Sequence, residues 1–295
     1  MERYIIVVTL FVVMILSKSP KVLASIRSWP RSMFNKASPG SGSSRPINRL
    51  QNIVEHLRSI ENIRECAFDP YNCSSLQSCL TEMNSLKLED ISLDLDDLDL
   101  PNLSESVCMN IVATQNFHIS LFILPQGCKL PIHDHPSMTV SSKILYGKIS
   151  VRSFTPQGIA SQDSKSKSIK ATMDKATRSS DDDAWLLTPE LGNVHEFVAV
   201  DTSVIFDILL PPYMEPDRPC NYYNIKEVTE AKGAKGVKGA KAVKVKVEVE
   251  VDTERRKTDT DTEQHRTYLL TKMIPSEERN IILPYTIPYT GFKPS

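Results

Sequence analysis

The sequence lacks a strong net charge, closely paired cysteines and an apolar run of the ~20 residues that a membrane span needs. Its 295 residues carry 35 Lys and Arg against 36 Asp and Glu, a formal net charge of -1. This balance offers no strong field that would attract nucleic acid. The six cysteines form no CxxC pair, which argues against a structural zinc site or a thioredoxin-like redox motif. We therefore expect mostly buried, reduced thiols.

The N-terminus carries an uncharged apolar run over residues 4–16, followed by small residues near Ala24. This pattern is typical of a signal peptide, and a signal anchor is the alternative. We assign residues 1–24 to this segment. Cleavage in the secretory pathway would allow the cysteines to pair as disulfides.

Residues 25–48, rich in Ser, Pro, Gly and Arg, predict a disordered linker. Residues 49–105 predict a helical cap and connecting loop, because Leu50, Ile53, Val54 and Leu57 recur at helical spacing. Within this part, residues 85–100 fit either a weak strand or an acidic loop. The β-branched and aromatic runs of residues 106–228 predict a barrel or sandwich, with residues 161–183 as an exposed hairpin connection.

Residues 229–263 form a low-complexity stretch that is first rich in lysine and then acidic. Lysine-rich tracts can bind nucleic acid, but this one has no interleaved aromatics. We interpret it as a mobile insertion and expect no nucleic-acid partner. Residues 264–295 regain strand character and predict a strand and tail that complete the barrel.

Two histidines at alternate positions, His133 and His135, indicate a metal site. Side chains alternate along a strand, so both imidazoles would share one face. Imidazole suits Zn, Fe, Cu and Ni, so the pair does not identify the metal.

The surrounding spacing resembles the two motifs of cupins. Gly127 and Gly147 frame the histidine pair, and the segment that ends in His195 resembles the second motif, which supplies a further ligand. A typical cupin places a glutamate where this chain has Thr139 and Val140. Three neutral imidazoles would leave the metal's charge uncompensated and favour binding of a thiolate.

The chain resembles the plant cysteine oxidases and their animal relatives, the cysteamine dioxygenases. The likeness rests on ISLFILPQGCKLPIHDHPSMTVSSKILYGKISVRSF, LGNVHEFVAVDTSVIFDILLPPY, CNYY and PYTGFKP, and MTVSSKILYG is nearer to the plant branch. The resemblance implies a mainly β, cupin-type double-stranded β-helix (jelly-roll) barrel with a short helical cap. It also implies a monomer in cytoplasm or nucleus, although the apolar N-terminus leaves secretory or membrane-anchored targeting open.

The resemblance implies that Fe(2+) and O2 oxidise a cysteine thiol to its sulfinic acid. In the plant branch the substrate is an N-terminal cysteine of a protein, whose oxidation marks that protein for degradation when oxygen is plentiful. His133, His135 and His195 take the metal-ligand positions. Asp207 and Tyr213 match polar residues near the metal. Asp207 would bind the substrate's α-ammonium or steer a ligand, and Tyr213 would donate a hydrogen bond to bound oxygen or sulfur.

Several further residues belong to the matched segments. Cys220 and Tyr222 match a Cys-x-Tyr segment and would lie near the site entrance, where a structural role is equally consistent with the sequence. Ser137 stands where the family commonly has Gly. Asp134 should point away from the metal, and His118 matches no motif, so we interpret it as an ordinary polar residue.

Two alternatives to the N-terminal cysteine dioxygenase stay open. The same chemistry could act on a small aminothiol such as cysteamine or free cysteine. A non-enzymatic cupin could instead use the histidines to hold zinc, manganese or copper.

Overall fold

The computed structural model describes residues 49–93, 103–159 and 168–228, residues 267–273, and the backbone of residues 285–288. The predicted apolar segment (1–24), linker (25–48) and low-complexity insertion (229–263) lie outside the described residues.

The N-terminal cap consists of three short helices, α1 (Arg49–Arg58), α2 (Ile63–Phe68) and α3 (Ser74–Asn84), and a 3-10 turn at Leu88–Ile91. The apolar stripe of α1 is buried, as its helical spacing predicts. In the segment predicted as a weak strand or an acidic loop, residues 85–93 contain the 3-10 turn and no strand, and residues 94–100 lie outside the described residues.

The cap contains a disulfide between Cys66 and Cys73. The expectation of reduced thiols was wrong for this pair. The turn between α2 and α3 brings the two Cα atoms within 5.2 Å, inside the range that a disulfide spans.

The rest of the described chain is made of β-strands. They are β1 (Val107–Ala113), β2 (His118–Leu124), β3 (Lys129–His133), β4 (Thr139–Tyr146), β5 (Lys148–Ile159), β6 (Ser168–Ser179), β7 (Trp185–Leu187), β8 (Val194–Ala199), β9 (Ser203–Leu210), β10 (Tyr223–Val228), β11 (Thr267–Lys272) and β12 (Tyr285–Pro288). They form two six-stranded sheets, ordered β12-β1-β2-β9-β4-β7 and β10-β11-β6-β5-β8-β3.

The first sheet is covered by the cap on one face and lines the barrel interior with the other. Along β9, Phe206 and Ile208 pack with the cap helices, whereas Ile205 packs with Phe197 of β8 inside the barrel. This alternation confirms the cupin-type double-stranded β-helix with an N-terminal helical cap.

The segment predicted as an exposed hairpin connection contains a long strand. Strand β6 pairs with β5 over most of its length and with β11 over residues 168–172. Its polar composition reflects its exposed positions, while Ala171 and Met173 are buried.

Two turns have backbone conformations that favour glycine. Gly147 has φ +78, and a Cβ there would lie 2.1 Å from the carbonyl oxygen of Thr202. Ser137, in the turn before β4, has φ +54, a left-handed conformation that glycine adopts more readily than serine.

Candidate metal centre

Three imidazoles meet inside the barrel. His133, the last residue of β3, pairs with His195 of β8, and His135 lies two residues past the end of β3. One ring nitrogen from each lies within 4.8 Å of those of the other two. The prediction placed His133 and His135 on one strand. Although β3 ends between them, their ring centroids are 4.8 Å apart.

Hydrogen bonds orient two of the rings. His133 Nδ1 lies 2.7 Å from the carbonyl oxygen of Pro131, an acceptor that requires a proton on Nδ1. Tyr213 donates its hydroxyl to the carbonyl oxygen of Asp134 at 2.6 Å, so it accepts a hydrogen bond from His135 Nδ1 at 2.8 Å. With both Nδ1 atoms protonated, both Nε2 lone pairs are available to a metal.

The third ring, His195, stacks on Phe197 with centroids 4.7 Å apart. Burial lowers the pKa of His195, and a backbone hydrogen bond with Asn193 opposes this larger effect.

Burial lowers the pKa of all three histidines. The neighbouring imidazoles lower the pKa of His135 and His195 further. The rings are therefore neutral, which is the form that binds a metal. The donor set fits a divalent transition metal.

The positions of the usual cupin glutamate serve other purposes in this chain. Thr139 donates its hydroxyl to the carbonyl oxygen of Ala67 in the cap at 2.6 Å. Val140 packs among Met138, Leu187 and Leu209. Neither side chain offers a carboxylate, so within the described residues the cluster consists of imidazoles.

Asp207 lies on the facing wall. It is paired in register with Ser120 of β2 and Ser142 of β4, and it follows Ile205 by two residues, so its side chain points into the barrel. Ile205 and Phe197 share one interior cluster. His195 is likewise two residues from Phe197, so both side chains adjoin this interior cluster.

The carboxyl of Asp207 has an unusual environment. Burial raises its pKa to about 7, against the opposing effect of the nearby Ser142 hydroxyl. Its Oδ1 is buried, and the described part of the chain gives it no hydrogen-bond partner. A buried carboxyl with an unused acceptor is a candidate for contact with a ligand.

Sequence reasoning missed Asn193, which holds His135 by its main chain. Its Oδ1 accepts from His135 N at 3.0 Å, and its Nδ2 donates to His135 O at 2.7 Å. An asparagine two residues before His195 gives no sequence signal for this contact.

Two other predictions concern Tyr222 and Cys220, which are neighbours of the cluster. Tyr222 forms a bridge with His133, and their rings lie 6.3 Å apart. Cys220 lies beside Tyr213, whose pKa is raised by burial and then by Cys220.

His118 was interpreted as an ordinary polar residue. It lies on β2 with a buried Nε2 that has no partner in the described ranges, and burial lowers its pKa.

The fold and the converging imidazoles define a cupin with a candidate mononuclear metal centre. The family model described as PCO_ADO matches residues 83–268. The chain belongs to this family of metal-dependent thiol dioxygenases.

Named relatives include both branches of the family. The 2-aminoethanethiol dioxygenase of Homo sapiens is 31% identical over 189 residues, 55% of this chain and 68% of that protein. Plant cysteine oxidase 1 of Arabidopsis thaliana is 37% identical over 110 residues, 36% of this chain and 37% of that protein. The probable 2-aminoethanethiol dioxygenase of Dictyostelium discoideum is 31% identical over 155 residues, 51% of this chain and 71% of that protein.

Among the residues that the structure describes, no helix has the length and hydropathy required to cross a membrane.

Proposed function

We propose that this chain is an iron(II)-dependent dioxygenase that oxidises the N-terminal cysteine of protein substrates to cysteine sulfinic acid. The reaction R-SH + O2 → R-SO2H is balanced without a further reductant, since sulfur loses four electrons and O2 accepts four. Among the described residues, the observation that carries the proposal is an imidazole cluster without a carboxylate, together with a buried Asp207 whose Oδ1 has no hydrogen-bond partner. A bound iron(II) would accept the thiolate and supply the redox chemistry for O2.

The chain's own residues would hold the substrate and the ligands. His133, His135 and His195 would bind the metal, and Tyr213 would keep His135 in the orientation that its hydrogen bond favours. The ionised carboxylate of Asp207 would accept a hydrogen bond from the substrate's α-ammonium through its unused Oδ1. A nearby ammonium stabilises the ionised form and would lower the raised pKa of Asp207.

A protein substrate is supported by the plant-like MTVSSKILYG run and by the similarity to plant cysteine oxidase 1. Two loops that contact His135 also carry exposed apolar side chains. Leu191, near Asn193, is 51% exposed, and Met214, next to Tyr213, is 47% exposed. They offer contact area to a polypeptide that a small aminothiol would not use. Oxidation would then mark the protein for degradation when oxygen is plentiful.

A small aminothiol is the second candidate. The similarity to 2-aminoethanethiol dioxygenases extends over more of the chain than the similarity to the plant enzymes. Such a substrate also places an amine beside its thiol, so Asp207 suits it equally well.

The test is to incubate iron-loaded protein with a cysteine-initiated peptide or with cysteamine, and to follow oxygen consumption and product mass. The proposal expects sulfinic peptide and a higher kcat/KM for the peptide. Preference for cysteamine would establish the second candidate. Unchanged thiols with stoichiometric iron would overturn both and favour a non-enzymatic metal-binding cupin.

A further inference from the structure

The segment of residues 219–223 borders the histidine cluster on the side of β3. Tyr222 forms a bridge with His133, and Cys220 lies beside the Tyr213 hydroxyl. The position of this segment therefore decides what surrounds two of the three imidazoles.

Asp134, between His133 and His135 in the sequence, binds this segment through its carboxylate. Its Oδ1 accepts from the main-chain N–H of Asn221 at 2.8 Å, and its Oδ2 accepts from Asn221 Nδ2 at 2.9 Å and from Tyr223 Oη at 2.8 Å. The main-chain N–H of Asp134 donates to the carbonyl oxygen of Asn221 at 3.0 Å. One buried carboxylate thus holds the two residues that alternate with Cys220 and Tyr222.

Burying the Asp134 carboxylate costs free energy, which its hydrogen bonds must offset. Asp134 is 8% exposed and forms no ion pair with any residue that the structure describes. A buried carboxylate without a cation depends on its hydrogen-bond donors, and each donor left behind after its removal would lose its partner.

We infer that Asp134 is a positioning residue, whose carboxylate fixes residues 219–223 against the metal centre and so sets the place of Cys220 and Tyr222. The expected change in kcat/KM rests on the proposed function. The expected change in amide exchange rests only on the described hydrogen bonds. The sequence predicted only that Asp134 points to the face opposite the ligands, and its hydrogen bonds to Asn221 and Tyr223 give it this further role.

The structural consequence is tested by hydrogen–deuterium exchange on the full chain. In Asp134→Ala, the amides of residues 220–223 should exchange about tenfold faster or more, because the Asn221 N–H loses its acceptor. Peptides of β8 and β9 should keep their rates. The milder Asp134→Asn keeps the shape but turns one acceptor into a donor, and Tyr223→Phe removes a single bond, so both should give smaller local increases.

Asp69→Asn is the matched control, since it weakens an exposed pair between Asp69 and Asn72 in the cap. It should leave residues 219–223 unchanged.

The functional consequence is tested with cobalt(II), whose visible absorption reports its ligands, and with steady-state kinetics. Asp134→Asn should bind one cobalt per chain as the wild type does, but thiol titration of the cobalt spectrum should require about tenfold more thiol. The kcat/KM for thiol should fall by about 10- to 100-fold, the range seen when groups that orient metal sites are removed.

Equal exchange in wild type and Asp134→Ala would overturn the inference, and so would loss of cobalt binding in Asp134→Asn. Faster exchange spread equally over β8 and β9 would also contradict it, because it would indicate a general loss of stability. If the wild type oxidises no thiol, the proposed function fails, while the exchange data still decide the role of Asp134.

Discussion

On the wall formed by β3 and β8, the Nδ1 atoms of His133 and His135 are already engaged in hydrogen bonds. On the facing wall formed by β2, β9 and β4, the carboxyl of Asp207 keeps an oxygen without a partner in the described part of the chain. The two walls therefore differ in which polar atoms are free to bind a ligand. The hydrogen bonds of the histidine wall suit it to hold a metal, and we propose that Asp207 on the other wall binds the substrate.

The largest effect should follow from removing a ligand from the histidine wall. His195→Ala should lower metal affinity by about 100-fold or more, since even orienting partners of ligands cost 10- to 100-fold. Oxygen consumption should be abolished. Metal content after gel filtration checks this, with His118→Ala as control, because His118 is a partly buried histidine of β2 outside the cluster. Metal loss in both variants would contradict the claim that the metal is held by the histidine wall and not by the other wall.

The next effect should come from Asp207→Asn. It should keep the metal but lower kcat/KM for an amine-bearing thiol by roughly 10- to 100-fold, as expected for a charge-assisted hydrogen bond of about 1.5–3 kcal/mol. With an N-acetylated cysteine peptide, wild type and variant should differ little. An equal loss with both substrates would show that Asp207 does not recognise the amine.

The raised pKa of Asp207 also predicts a pH dependence of stability. Burial keeps this carboxyl protonated in the folded chain up to about pH 7, against an ordinary pKa of 3.8. Between these values the folded state binds more protons, so the free energy of unfolding should fall as pH rises from about 4 to about 7. Urea unfolding of the metal-free protein checks it. Asp207→Asn should gain stability relative to wild type at pH 8 and less at pH 5, and an equal difference at both pH values would contradict the prediction.

A smaller effect is expected for Tyr213→Phe. The variant loses the hydroxyl between the Asp134 carbonyl and His135 Nδ1 but keeps the ring. Metal affinity should fall by about tenfold, measured by competition with a chelator. Unchanged affinity would show that the orientation of His135 does not depend on this bond.

The smallest effect concerns the exposed loops beside the site. Leu191→Ser and Met214→Ser should raise the KM for a cysteine-initiated peptide by a factor of about 2 to 5, since partly exposed apolar contacts contribute on the order of 1 kcal/mol or less. The KM for cysteamine should stay the same. A parallel rise for both substrates would remove this support for a polypeptide substrate.

The histidine wall could be predicted from the sequence to a large extent. The spacing of His133 and His135 is local, and the cupin-like glycines place His195 on a neighbouring strand. Asp207 and Tyr213 required the resemblance to a family, because nothing in their local pattern distinguishes a strand carboxyl or a loop aromatic from an ordinary one.

The partners of these residues could not be predicted. Asn193 and Asp134 act through loops that are distant in sequence, and only the folded barrel brings them together. The disulfide of Cys66 and Cys73 depends on the turn between two helices, which composition does not reveal. Strand β6 was missed because its exposed positions are polar.

The compartment requires a separate observation. The resemblance favours cytoplasm or nucleus, and the apolar residues 4–16 favour secretion or anchoring. Sequencing of the mature N-terminus separates these, since a start at Ser25 would show cleavage and an intact Met1 would not.

The most direct test of the central claim is product mass after oxidation of a cysteine-initiated peptide by iron-loaded protein under 18O2. The account predicts a sulfinic acid that carries two labelled oxygen atoms, and no product from His195→Ala. A product with a single labelled oxygen, or a peptide disulfide without labelled oxygen, would contradict the claim that the histidine wall and Asp207 together form the site of a thiol dioxygenase.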